Sequence, residues 1–452
     1  MTIPQKIFDA MARHSVMVNE GSGALIQAAS EEYCYVLTAK HVVEGKAIEQ
    51  IDITDTKDEK ITPIEVYYHS AHGLDAAIIK VEPQTELIIS AYSDMGEVPE
   101  LLRLRGFSGK VRSQGKSCLE QLKGYDLHLI NPNPSQTFWE YRNASFAPYD
   151  DIKGCSGGGV FCLIQKNSDC EAFLAGIEFE IVDHSDGMEH QHLGCIPVFV
   201  FNEIIAANQL AVLKPLHLND FKYLSGGMFP LSYYQHILPF ERDKFVPLLN
   251  WVKTHCNRNL QNFSLTPLQI LSDFDRYLCI DGRNSIELED KVCWERYLEF
   301  LTLVSIANDK NFEELNPEDL FNEFRVVYLR SSEPWTVHFE EVLTVDTSSL
   351  SGNGKILLFF NDVKGENAVI PKDQVDSCIT NIFGARSDTG AIDAAETIRQ
   401  KGHTLIHWAS LHDENIFSQR NELQDIKEPK TGLVKVRELY RQYLEFQEKL
   451  NG

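Results

Sequence analysis

The chain is 452 residues long, carries 42 Lys and Arg against 66 Asp and Glu for a formal charge of -24, and is 43% hydrophobic and 24% charged. That length exceeds what one core supports, so two or three domains are predicted, and no apolar run is long enough to cross a bilayer, so the protein reads as soluble, with no membrane as partner. The acidic balance disfavours direct nucleic-acid binding, which needs a clustered basic surface, and suits neutral or cationic protein partners.

The opening "MTIPQKIFDAMARHS" mixes charges with apolar residues at helical spacing and lacks the apolar stretch of a secretory signal, which predicts a cytoplasmic protein. The ten cysteines are scattered from Cys34 to Cys378, several inside apolar runs such as "YCYVL" and "VFCLI", and none forms a C-x-x-C pair. Reduced, buried thiols are expected.

From Val16 to about Phe201 short apolar runs alternate with turn residues: "ALIQAA", "YCYVLTA", "IEVYYHS", "AAIIKV", "LLRLRGF", "DLHLI", "GVFCLI", "AFLAGIEFEIV" and "CIPVFVF". Four to eight residues each, rich in β-branched and aromatic side chains, they predict an all-β barrel or sandwich. Past "NEIIAANQL" the period changes: "PLSYYQHILPFERDKFVPLLNWVKTHC" and "LEDKVCWERYLEFLTLVSIAND" carry apolar residues at i, i+3, i+4 and i+7, as helices do. Beyond Glu318 strand-like "FRVVYLR", "TVHFEEVLTV" and "GKILLFFNDV" precede helix-like "DTGAIDAAETIRQKG" and the buried-strand candidate "HTLIHWAS", a mixed α/β or α+β pattern. The final "KVRELYRQYLEFQEKL" is an amphipathic helix able to pack or to form a homo-oligomer. The expected division is 1–207 all-β, 208–317 helical and 318–452 α/β.

Three segments of the β-rich part carry chemistry together: "GSGALIQ…YCYVLTAKHVV", "HGLDAAIIKV" and "IKGCSGGGVF". Nucleophilic acyl transfer needs a hydroxyl, a base within reach of it, and an acid that orients the base. Ser156, His41 and Asp75 supply those types, each at the edge of an apolar strand. An oxyanion must be met by backbone N–H groups, which forces the chain through a tight, partly left-handed turn that glycine adopts cheaply. "GCSGGG" offers that turn, with Gly154 and Ser156 as the oxyanion-hole donors. His69 and His72 flank the acid block and read as loop residues.

These motifs resemble the chymotrypsin/trypsin-like serine protease family in its short, intracellular bacterial form. "TAKHVV" is similar to the family's Thr-Ala-x-His-Val block, "LDAAIIKV" to its Leu-Asp-x-Ala block and "GCSGGGVF" to its Gly-x-Ser-Gly-Gly block, over roughly residues 16 to 205. The resemblance implies a double β-barrel with a His41, Asp75, Ser156 triad cutting a protein or peptide substrate. Two positions depart from it. Cys155 stands where members activated by cleavage keep an aspartate that pairs with the new N-terminus, so that route is not expected, and Gly159 replaces a usual proline.

By the same resemblance, Asp150, six positions before Ser156, is placed where members that cut after Arg or Lys keep a carboxylate, although it also reads as an exposed loop residue. "AGIEFEIV" is expected to offer Phe179, Glu180 and Ile181 as an edge for the substrate backbone, and Glu178 and Glu180 alternate with Phe179 there, so one face reads as acidic. "DHSDGMEHQHLGC" contains Asp183, His184, His190, His192 and Cys195, a zinc-capable set whose spacing fits no fixed finger pattern and which reads as a rim loop. "SGNGK" from Ser351 lacks the spacing of a phosphate loop and reads as a hairpin turn. No metal and no cofactor is expected.

The second half shows no catalytic constellation, which points to sensing, docking or assembly. The layout, with stretches such as "WERYLEFLTLVSIAND" and "FFNDVKGENAVIPKDQV", resembles effector subunits of Lamassu-like (ABC-three-component) anti-phage systems. That resemblance implies an SMC-type ATPase partner and release or oligomerisation of the effector on infection. The functional expectation is an intracellular serine endopeptidase gated by its C-terminal region or a partner. The alternatives are a protease-fold module that binds peptide without cutting it, and a housekeeping quality-control protease.

Overall fold

The computed structural model describes residues 3–85, 87–92, 102–109, 116–130, 137–144, 152–166, 169–182, 192–230, 239–274, 277–279, 289–329, 335–338, 342, 346–360, 368–371, 373, 375 and 402–446. The chain divides into two compact units, Met1–Leu216 and His217–Gly452. Among the described residues no helix is long and apolar enough to cross a membrane.

The first unit opens with helix α1 (Gln5–Arg13) and holds two six-stranded, antiparallel β assemblies. Strands β1 (Ser15–Val18), β2 (Gly21–Gln27), β3 (Cys34–Ala39), β4 (Ile53–Thr54), β5 (Pro63–Tyr68) and β6 (Ala76–Val81) form a half-barrel in the order β4-β1-β2-β3-β6-β5. It stays open because β4 is two residues long and runs into a turn held by Asp55, whose Oδ1 accepts the N–H of Lys57 and of Glu59, both at 2.8 Å. The second assembly closes fully: β7 (Leu102–Phe107), β8 (Leu122–Leu129), β9 (Trp139–Asn143), β10 (Gly159–Lys166), β11 (Asp169–Val182) and β12 (His192–Pro197) pair in the order β10-β11-β12-β9-β8-β7. This agrees with the fold expected from the sequence, paired β assemblies followed by helical and mixed α/β structure.

β3 and β6 read as unbroken apolar runs because both of their faces are covered. Tyr35, Leu37, Ala76 and Ile78 pack with Phe161, Leu174 and Ile177 of the closed barrel, while Cys34, Val36, Ile79 and Val81 fill the half-barrel with Val16, Leu25 and Ile53. His14, fully buried, bolts the connecting segment onto this core: its Nδ1 donates to the Leu25 carbonyl at 2.7 Å, and Nε2 accepts the N–H groups of Ile88 and Ile89 at 3.1 Å each. The eight described cysteines whose side chains are placed are buried thiols outside any disulfide.

The run "CIPVFVF" is strand only as far as Pro197. Val198–Ala207 is a helix with Pro197 at its N-cap and Val198, Val200, Phe201, Ile204 and Ile205 buried, because proline ends the ladder by lacking an N–H.

In the second unit β13 (Leu278–Cys279), β14 (Phe324–Leu329), β15 (Lys355–Phe360) and β16 (Thr404–His407) form a parallel sheet in chain order. One core takes in Val326, Leu357 and Ile406 of this sheet, Leu248 and Val252 of helix Val246–Leu260, Trp294, Leu298 and Leu301 of helix Lys291–Asn308, and Val436 and Tyr440 of helix Pro429–Leu444. The middle helix is buried on every side from Cys293 to Ala307, its charged Glu295, Arg296 and Glu299 included. Two strand readings are corrected here. Thr336–His338, the start of the expected strand "TVHFEEVLTV", belongs to a short helical turn, Trp335–His338, and "SGNGK" is a turn that enters β15 with no strand in residues 346–350 before it. The helix expected over 388–401 lies outside the described residues.

Candidate active site

β3 ends at Ala39 directly opposite Ala76, the first residue of β6. His41 and Asp75 therefore flank the same end of one strand pair. Asp75 Oδ2 meets His41 Nδ1 at 2.5 Å, its Oδ1 accepts the His41 backbone N–H at 2.8 Å, and its carbonyl accepts Lys40 N–H at 2.9 Å. Asn19, left-handed in the β1–β2 turn, holds the following residue by donating from Nδ2 to the Val42 carbonyl at 2.9 Å.

With the proton on Nδ1, the neutral imidazole presents Nε2 as a lone pair. The ring is 51% exposed and Asp75 24%, so a substrate has access while the carboxylate is partly shielded. The hydrogen bond to Asp75 raises the His41 pKa above its ordinary value. Burial opposes that rise, and the charges of Asp75, Glu180 and Glu44 add to it.

Ser156 stands in the loop between Ile152 and β10, and this loop is pinned from β2 and from β11. Ser22 N–H donates to the Ser156 carbonyl at 2.8 Å, Gly157 N–H to the Glu178 carbonyl at 2.7 Å, and Glu178 N–H to the Gly158 carbonyl at 2.9 Å. Within the loop Cys155 N–H reaches Ile152 O at 2.8 Å, and Gly158 N–H reaches Cys155 O at 2.6 Å. Gly154 and Gly157 have φ of 95° and 90°, in the left-handed region. A Cβ on Gly157 would lie 2.0 Å from the Ser22 carbonyl oxygen and 2.3 Å from Thr38 Oγ1, so position and conformation both demand glycine.

Gly21 shows how closely these segments converge. A Cβ there would stand 2.7 Å from both Val42 methyls and 2.9 Å from the Ser156 carbonyl oxygen. The residue after the histidine and the backbone of the serine thus touch one point on β2. Nδ1 of His41 pairs with Asp75 and Ser156 is placed through its backbone; no hydrogen bond joins His41 Nε2 to Ser156 Oγ. Such bonds are often long before substrate binds.

Cys155 is fully buried beneath Gly106, where a Cβ would come within 2.9 Å of the Cys155 Cβ. β10 begins at Gly159, opposite Ile177, so past Glu178 strand β11 keeps its β12 partners, Glu180 with Gly194 and Ile181 with Leu193, but has left the β10 ladder. Phe179 falls in the bulge between Glu178 and Glu180 and meets Phe138 edge-on at 6.3 Å. Asp150 lies outside the described residues.

Glu178 reads in sequence as one of two alternating carboxylates, yet the two differ sharply. Glu180 is exposed, its pKa raised by partial burial and by Asp75 against the pull of His41. Glu178 is buried, Oε2 has no hydrogen-bond partner, and burial, with Asp75 and Glu180 nearby, pushes its pKa up to about 8. It is therefore a neutral acid near neutral pH. Ser22 and Thr38, fully buried and in direct contact with the loop's surroundings, were not singled out by sequence; the glycines flanking Ser22 were the available signal.

His69 is tucked in, accepting Ala71 N–H on Nδ1 at 3.1 Å and facing Glu203 Oε2 through Nε2 at 3.1 Å. His192 pairs with Glu140 at 2.7 Å, whereas Cys195, three residues on and so on the other face of β12, is buried against Gly176. Among the described residues no group of three or more His, Cys, Asp or Glu could hold a metal ion. Asp183, His184 and His190 lie outside them.

Residues 195–417 match the family model described as C-terminal domain 4 of the ABC-three component (ABC-3C) systems. No curated protein matches the chain. Solved structures similar to its first half include the scabies mite inactivated protease paralogue S-D1, 14% identical with a TM-score of 0.33 over 45% of this chain and 97% of that one. The inactive form of a serine-to-alanine mutant of Rv3671c from M. tuberculosis H37Rv is 14% identical, with a TM-score of 0.31 over 45% and 91%. Kallikrein-related peptidase 10 in complex with Zn2+ is 12% identical, with a TM-score of 0.32 over 44% and 97%.

Proposed function

We propose that the chain is a serine endopeptidase that acts as the effector of an ABC-three-component defence system, with the chemistry in residues 1–207 and its control in 208–317 and 318–452. The observation that carries the reading is the convergence at β2: an imidazole already paired with its carboxylate, and a serine loop tied to the adjoining strand. The match of residues 195–417 to a domain of ABC-three component systems supports the second part.

In this reading His41 Nε2 takes the Ser156 hydroxyl proton as Oγ attacks the scissile carbonyl. Asp75 holds the ring in the tautomer that leaves Nε2 open and balances the imidazolium that forms. The N–H groups of Gly154 and Ser156 receive the oxyanion, His41 returns the proton to the leaving amine, and water then hydrolyses the acyl-enzyme by the same relay. The side of β11 that has left the β10 ladder takes the substrate backbone beside Phe179, Glu180 and Ile181, and Asp150 is the candidate for a cationic substrate side chain. Gating falls to the C-terminal region and to partner components, of which an SMC-type ATPase is the one the layout suggests.

A fluorophosphonate probe tests the chemistry. Labelling of the full chain that maps to Ser156, vanishes in Ser156→Ala, and rises when the partner components are added supports the proposal. A folded protein that stays unlabelled alone and with its partners ends it, and favours a peptide-binding module instead.

A further inference from the structure

Ser22 makes more contacts to the nucleophile loop than any catalytic role accounts for. Its side chain is fully buried at the second position of β2. Its hydroxyl donates to the Gly154 carbonyl at 2.9 Å and accepts the Phe107 N–H at 2.9 Å, so both of its capacities are used in one geometry. Its backbone N–H holds the Ser156 carbonyl at 2.8 Å, and its own carbonyl accepts the Thr38 hydroxyl at 2.7 Å. One residue of the half-barrel thus grips the loop on both sides of Cys155 and also grips the last residue of β7 in the closed barrel.

The position of that grip matters. The histidine and carboxylate belong to the half-barrel and the serine to the closed barrel, so the relay exists only while the two keep register. Displacement by about 1 Å is enough to cost about 100-fold in rate where reacting groups must align. Gly154 and Ser156, the two positions Ser22 holds, are also the proposed oxyanion donors.

We infer that Ser22 is a positioning residue: it sets the shape of the 152–158 loop and registers it against the half-barrel that carries His41 and Asp75. This rests on the endopeptidase reading for its catalytic consequence, but the brace itself is a structural claim that stands or falls separately.

The test compares full-length wild type, Ser22→Ala and a matched control, Ser15→Ala. Ser15 is also buried and donates its hydroxyl to a backbone carbonyl, Met11 O at 2.8 Å, but that bond leads to α1 rather than to the loop. The first readout is the rate of fluorophosphonate labelling at Ser156, expected to fall about 100-fold in Ser22→Ala and to stay within about threefold in Ser15→Ala. The second is hydrogen exchange of peptides spanning 152–160, expected to quicken in Ser22→Ala alone. Exchange needs no catalysis, so it decides the brace even where wild type is unlabelled, an outcome that would count against the endopeptidase and not against Ser22. If Ser22→Ala does not fold by circular dichroism, Ser22→Cys, which keeps a weak donor, is measured the same way and should lose about tenfold. Wild-type exchange and wild-type labelling in the folded Ser22 variant overturn the inference, as does an equal loss in Ser15→Ala.

Discussion

Each of the two compact units contains a histidine beside a carboxylate, and the two pairs are opposite in character. His41 and Asp75 meet at the rim of the half-barrel, where the ring is half exposed and its pKa is raised, first by the hydrogen bond to Asp75. His412 and Glu299 are wholly buried, with Nε2 3.6 Å from Oε2, and burial lowers the His412 pKa despite the carboxylate. Glu299 is fully committed elsewhere: it takes Arg296, the Phe229 N–H and, at 3.0 Å, the Trp408 indole N–H. Burial alone would raise its pKa, and Arg296 leads the contacts that bring it below the ordinary range. The same two residue types thus make a base with a free face in one unit and a sealed clasp in the other. What separates them is solvent on one side of the ring and the donors on the acid, which on Asp75 come from His41 itself and on Glu299 from Arg296, Phe229 and Trp408.

The largest expected effect tests the open pair. Asp75→Asn should lower turnover about 10⁴-fold while leaving the melting curve nearly unchanged, since the amide fits but favours the wrong tautomer. Glu299→Gln should do the reverse. It leaves Arg296 buried beside a neutral partner, a loss of about 3–5 kcal/mol in denaturant unfolding, with no change in Ser156 labelling of the folded protein. Exchange of these two outcomes would break the comparison.

Acidification separates the pairs more gently. His41 must be neutral to accept a proton, and its pKa is raised, so the labelling rate should have its midpoint above 6.5 and fall on the acid side of it. Stability should follow a different curve. His14, buried with Nε2 accepting two amides, has its pKa lowered to about 4 from an ordinary 6.5. A folded pKa below the unfolded one means the unfolded chain binds more protons between them, so this contribution is complete above about 6.5 and drains away toward about 4, up to roughly 3 kcal/mol. His412 adds to it with the same sign. Melting temperatures from pH 8 to 4, set beside labelling rates, should show activity failing before stability.

The open pair was legible in sequence because its geometry is local: His41 sits two residues past β3 and Asp75 one residue before β6, strands whose register brings Ala39 opposite Ala76, and those strands announce themselves as apolar runs. The glycines around Ser156 were legible because only glycine tolerates φ near 90° against a neighbouring carbonyl. Ser22 was not. Its bonds reach Gly154 and Phe107, 132 and 85 residues away, and nothing local marks a serine whose partners are that distant. Glu178 misled for a related reason, since alternation with Phe179 gave two equivalent carboxylates until the bulge after Glu178 set one inside and one out. The clasp around Glu299 was invisible: a charge on a helix ordinarily faces water, and only the burial of Lys291–Asn308 on all sides turns Glu299 inward.

The smallest expected effect bears on the sealed pair. His412 Nδ1 lies 2.8 Å from the Tyr440 hydroxyl on the terminal helix, while Nε2 faces the Glu299 carboxylate. A carboxylate only accepts, so the proton of the neutral ring sits on Nε2, and Nδ1 accepts from Tyr440. That is the opposite tautomer from His41, where Nδ1 carries the proton. Tyr440→Phe removes the neutral hydrogen bond to His412 and should cost about 1 kcal/mol in unfolding, without touching Ser156 labelling. Ring ¹⁵N shifts give the sharper reading: in wild type the two histidines should show complementary protonated nitrogens, and the His412 Nδ1 shift alone should move in Tyr440→Phe. If both rings carry their proton on Nδ1, the two pairs are chemically alike after all, and burial by itself has to explain why one is open to chemistry and the other is not.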